Sequence, residues 1–116
     1  MTMSINEIFY KVEKHLLKQN EQAIGSSTVC KYRTDSGLSC AVGCLIPDEI
    51  YSSKIEGGDI TDLPANILTP LIGLQYTEGW SEKLHLLEKL QAMHDNRLPE
   101  KWPTYLADIK TEFNIN

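Results

Sequence analysis

No apolar run in this sequence is long enough to enter a bilayer. The longest nearly apolar stretch, Cys40 to Pro47, falls far short of the roughly 18–20 residues a membrane-spanning helix needs, so no membrane association is expected. Cysteine is scarce and odd in number, with Cys30, Cys40 and Cys44 alone. Their spacing lacks the paired knuckles of an ordinary zinc site, and an odd count does not close into a disulfide framework. Histidine is limited to His15, His85 and His94, too few for the multi-histidine metal set of a phosphohydrolase. Positive charge is short as well: 11 Lys and Arg stand against 16 Asp and Glu, a formal net charge of −5. The deficit lies wholly in residues 55–116, since residues 1–54 sum to zero. Direct nucleic-acid binding needs clustered Lys and Arg and is therefore not expected. Internal repeats, low-complexity tracts and linkers are missing too, which predicts one compact domain over residues 1–116.

What is present reads mostly as helix. Ser4 and Glu7 have capping-box spacing, and Ile5, Ile8, Phe9, Val12 and Leu16 recur on one face, predicting a helix over 5–19. Thr28 to Thr34 roughly alternates, Asp35-Ser36-Gly37 supplies turn chemistry, and Leu38 to Cys40 can return as a second strand. A small β-hairpin over about 28–40, packed on the helices, is expected. Cys40 to Ile46 suits a short buried helix, Pro47-Asp48-Glu49 a further helical turn, and 52–62 a loop. Pro70 splits the apolar stretch from Leu63 to Tyr76 into two short helices in this reading, the second capped by Thr69. Ser81 caps the next helix, which carries Leu84, Leu86, Leu87, Leu90, Met93 and His94, and Asn96 to Pro99 ends it. Trp102, Leu106, Ile109 and Phe113 mark a last helix opened by Pro103. The expected fold class is α+β, mainly helical with one hairpin.

Few residues invite chemistry. Buried packing is the ordinary role of free cysteine, and Cys40 and Cys44 lie in the most apolar segment; zinc shared among Cys30, Cys40, Cys44, His15 and His94 is the alternative. His94 sits on an apolar helical face and precedes Asp95. Adjacent helical residues diverge by about 100°, which places Asp95 poorly for holding the ring, and no oxyanion motif accompanies a Cys44, His94 and Asp95 set. No catalytic residue is assigned, no cofactor is called for, and a core or capping histidine is the favoured reading. Lys11, Lys14 and Lys18 form a solvated helix face by default. Tyr32 and Arg33 are better recognition residues, because Tyr and Arg contribute disproportionately to interfaces. Gly57-Gly58 lacks the context of a phosphate loop and reads as a turn.

Several segments carry a resemblance: His15-Leu-Leu-x-Gln19, Cys30-x-Tyr32-Arg33, Gly37-Leu-x-Cys40 through Tyr51, Glu56-Gly57, Leu90-Gln91-x-x-His94-Asp95 and Trp102-x-x-x-Leu106. In these the chain resembles a set of small bacterial and bacteriophage proteins with no established activity, so no catalytic residue is implied. Glu7, Lys11, Glu13 and Lys14 break up any secretory leader at the N-terminus. With the odd cysteine count, this predicts the cytoplasm of a bacterial host cell. The expected function is a non-enzymatic binding module, a phage or mobile-element accessory protein that engages a host protein, including in counter-defence. Tyr32, Arg33, His94 and Asp95 are the expected contact residues, and homo-oligomers are compatible with this. A protein sequestering a nucleotide signal and a zinc-stabilised domain are the alternatives.

Overall fold

The computed structural model describes residues 3–24, 31–74 and 77–116. Among them are four α-helices: α1 (Ile5–Gln19), α2 (Ala65–Ile72), α3 (Trp80–Asn96) and α4 (Trp102–Glu112). Five short 3₁₀ turns lie between them. No helix among these residues is long and apolar enough to cross a membrane.

The start of α1 is specified locally. The Glu7 amide donates to Ser4 Oγ at 3.1 Å and the Ser4 amide donates to Glu7 Oε1 at 2.9 Å, satisfying two amides that the helix leaves open. The helix ends where Asn20 turns left-handed (φ 50°) and donates its amide to the Leu16 carbonyl. Ile8, Phe9, Val12 and Leu16 are buried against α3 and α4. Lys11, Lys14 and Lys18 are exposed.

The helix α3 begins at Trp80 behind a Gly79 cap, so Ser81 lies inside it rather than capping it. It buries Leu86, Leu87, Leu90, Met93 and His94, and α4 buries Trp102, Leu106 and Ile109. Trp102 and Phe9, the largest fully buried side chains, join these helices in one core. The expected break at Pro70 does not occur, and α2 runs through it as one helix. Proline there removes the amide that would bond to the Asn66 carbonyl. Both residues are exposed, so that carbonyl can meet water while Ile67, Leu71 and Ile72 remain buried.

The expected hairpin is the main correction, and with it the α+β class: the described residues contain no strand, and the fold is all-α. Residues 28–30 of that hairpin lie outside the described residues. In the remainder, Arg33 and Ser39 form one isolated antiparallel bridge, flanked by the bonds Thr34 N–H to Leu38 O and Cys40 N–H to Tyr32 O. A ladder would continue with the Tyr32 amide donating to the Cys40 carbonyl. The Tyr32 amide instead donates to Glu56, and the Cys40 carbonyl accepts from the Cys44 amide. On the outward side of the bridge, Ser39 donates to Gln19 Oε1 at 3.0 Å and accepts from Gln19 Nε2 at 2.8 Å. The distant Glu56 carboxylate and the nearby Cys44 amide take the two groups that the next ladder bond would join. The helix expected over Cys40 to Ile46 contracts to a 3₁₀ turn at Gly43–Leu45, and the loop over 52–62 contains two more such turns.

Candidate functional site

Two polar assemblies frame the surface between the 56–60 loop and α3. The first is built on Glu56. Its Oε1 accepts from the Tyr32 amide at 2.9 Å, and its Oε2 accepts from the Arg33 amide at 3.1 Å and the Tyr51 hydroxyl at 2.7 Å. Burial and this hydrogen bond push the Tyr51 hydroxyl up to about 12. Arg33 extends away from Glu56, with its guanidinium 2.7 Å from Asp48, stacked over the Tyr51 ring and donating to the Ile46 carbonyl.

The second assembly closes the end of α3. His94 is fully buried, and its Nε2 lies 2.9 Å from the Ala23 amide. An amide can only donate, so Nε2 accepts and the ring proton sits on Nδ1. Nδ1 lies 2.8 Å from Asp95 Oδ1, which also accepts from Gln91 Nε2 at 2.8 Å. The other end of Gln91, Oε1, accepts from the Val42 amide. Gln22 donates to the His94 carbonyl at 2.8 Å, and the His94 ring stacks on Trp102. Asp95 therefore does hold the His94 ring, contrary to the expectation from helical angle. Nδ1 is the ring nitrogen nearest the backbone, and a short aspartate can reach it from the next residue. The same geometry commits the lone pair on Nε2 to Ala23, leaving none to take a proton from Cys44.

The cysteines pack inward. Cys40 Sγ accepts from the Gly43 amide at 3.2 Å, and Cys44 Sγ donates to the Ala41 carbonyl at 3.1 Å. Cys30 lies outside the described residues. His15 Nε2 is 3.0 Å from the Ser39 carbonyl. Among the described residues, no three His, Cys, Asp or Glu side chains converge as a metal would require.

Burial pushes the Cys40 and Cys44 thiols up to about 12 from an ordinary 9.0. Folding therefore favours the protonated thiols. Their contribution to stability is complete below about pH 9 and is lost as pH rises toward about 12. Tyr32 and Tyr51, also raised by burial, act in the same direction above about pH 10. Urea midpoints measured across this range should fall steadily, and Cys40→Ala, with one thiol fewer to ionise, should fall less.

Between the two assemblies lies an open cleft of about 400 Å³. Glu56, Asp59, Glu88 and Asp95 line it with Tyr32, Gln91 and one cation, Lys31. Of the residues singled out from sequence, Tyr32 and Asp95 meet here. His94 lies behind Asp95 in the core, and Arg33 lines a separate cleft of about 610 Å³ with His15, Ser39 and Cys44. Sequence reasoning gives no role to Glu56, Gln91, Asp59 or Glu88. Glu56 and Gln91 stand in segments that carry the expected resemblance, the one sequence signal that touches them. The arrangement offers fixed hydrogen-bond acceptors and negative charge at a surface whose walls are held by internal bonds. No family model matches the chain, and neither a curated protein nor a solved structure does.

Proposed function

We propose that this chain is a protein-binding module whose cleft between residues 56–60 and α3 receives a lysine- or arginine-bearing segment of another protein. The observation that carries the reading is the cleft's charge: four carboxylates and one lysine around a single concavity. Complementary charge steers association and selects partners, and an acidic cleft favours a basic partner. The hydrogen-bonding groups behind it, His94, Gln91 and the two oxygens of Glu56, are engaged within the fold. As the partner we infer a host protein in the bacterial cytoplasm, an expectation carried by the sequence motifs alone. An anionic nucleotide at Tyr32 and Arg33 draws less support, because the Arg33 guanidinium already engages Asp48, Ile46 and Tyr51.

The test compares capture from bacterial lysate by the immobilised protein and by its Asp59→Lys, Glu88→Lys double variant. Both positions are exposed; Asp59 also caps the Ile60–Asp62 turn by accepting from the Thr61 amide, so the variant should lose about 1 kcal/mol of stability and still fold, which its circular dichroism checks before capture. Proteins held by the unaltered chain should be retained at least about tenfold less by the variant and released by added salt. Equal retention by both, or none by either, would refute the reading.

A further inference from the structure

We propose that Asp95 and His94 form a latch, through which the cleft controls how tightly the segment following α1 is held. The reading of the cleft as a binding surface supplies the trigger; the latch itself rests on bonds internal to the chain. A neutral imidazole carries one proton, and a buried ring needs a partner at each nitrogen. Accepting from Ala23 at Nε2 requires the proton on Nδ1, and that proton requires the acceptor Asp95 Oδ1. Asp95 is thus the residue that sets the His94 tautomer. It is also the member of the pair that reaches the cleft, with about a third of its side chain exposed while His94 is fully enclosed.

The Asp95 carboxylate has a second internal tie, through Gln91 Nε2, whose Oε1 holds the Val42 amide. Gln91 cannot turn over to assist His94 without leaving Val42 unpaired. A cation that draws Asp95 toward the cleft weakens the acceptor at Nδ1. The proton can then pass to Nε2, and the Ala23 amide loses its partner. The consequence is local: the Ala23 amide is released, while the Gln22 bond to the His94 carbonyl and the core built on Trp102 and Phe9 stay in place.

Imidazole ¹⁵N shifts and amide hydrogen exchange on the free protein decide the matter. In the unaltered chain Nδ1 should carry the proton and the Ala23 amide should exchange slowly. Asp95→Ala should move proton population to Nε2 and speed exchange at Ala23 by about tenfold or more, the order expected when a buried amide loses its acceptor. Asp95→Asn retains a carbonyl acceptor and should restore most of the protection. An unchanged tautomer in Asp95→Ala, or exchange at Ala23 no faster than in the unaltered chain, would overturn the latch. Hexalysine added to the unaltered protein should speed exchange at Ala23. Binding at the cleft without that change would remove the link to the cleft. A complete failure of hexalysine to bind would count against the proposed function, while the variants would still decide the latch.

Discussion

Replacing Gly43 with alanine is expected to destabilise the fold by about 3 kcal/mol or more, one of the largest losses available to a single methyl group in this chain. A Cβ at this position would sit 1.9 Å from the Tyr32 carbonyl oxygen and 2.7 Å from its carbon, and both are backbone atoms with no rotamer to change. The backbone at Tyr32 cannot readily retreat. Its carbonyl accepts from the Cys40 amide, and its own amide is held by Glu56. Gly43 cannot retreat either, because its amide donates to Cys40 Sγ and the residue is buried in a turn packed on α1. Thermal unfolding should therefore come about 12 °C lower, or the variant should fail to fold. Gly37 provides the contrast. It has a positive φ of 93°, but beyond its two chain neighbours no heavy atom of the described residues lies within 4 Å of where its Cβ would stand, so Gly37→Ala costs only backbone strain, about 1 kcal/mol. Equal losses for the two variants would contradict the close approach at Gly43.

The first and last helices are legible in the sequence because their determinants are local. Ser4, Glu7 and the spacing from Ile8 to Leu16 contain both the start and the buried face of α1, and its bounds are those expected, Ile5–Gln19. The last helix can be read for the same reason, from Trp102, Pro103, Leu106 and Ile109. The segment from Lys31 to Cys40 cannot. Alternation fits a half-buried strand, and whether pairing occurs depends on what else competes for the same amides and carbonyls. The competitors are Glu56, 24 residues from Tyr32 along the chain, for the Tyr32 amide, and the Cys44 amide for the Cys40 carbonyl. Nothing in the local pattern announces Glu56.

The candidate site is half legible on similar grounds. Tyr32 and Asp95 stand out by residue type, and the cleft brings them together. Arg33 stands out equally, but Asp48 and Tyr51 hold it on another face. His94 is fully buried, which fits its reading as a core residue and not its place among the expected contacts, while its tie to Asp95 escapes an argument from the angle between Cα positions, which ignores the reach of Nδ1. Glu56 looks from its neighbours like part of a glycine turn. Its role depends on where both of its oxygens point, and the fold alone determines that.

Glu56→Gln is expected to destabilise the protein by about 2–3 kcal/mol although it changes neither size nor shape. Both oxygens of Glu56 accept, Oε1 from the Tyr32 amide and Oε2 from the Arg33 amide and the Tyr51 hydroxyl. A glutamine amide must put its NH₂ group at one of the two places. At the first it faces the Tyr32 N–H, donor against donor. At the second it faces the Arg33 N–H, and the Tyr51 hydroxyl can turn to accept but cannot relieve the amide. Either orientation leaves a partly buried N–H without a partner, and the charge that strengthened the remaining bonds is gone. Urea unfolding should show a lower midpoint with an unchanged slope, because the same surface is exposed on unfolding. Glu88→Gln separates this effect from the charge of the cleft. Glu88 is exposed on α3, so its loss should alter stability by no more than about 0.5 kcal/mol while still weakening a basic partner. If Glu56→Gln were as stable as the unaltered chain, the 31–33 segment would not depend on Glu56 for its conformation. Competition from the Glu56 carboxylate would then not be what displaces the second strand.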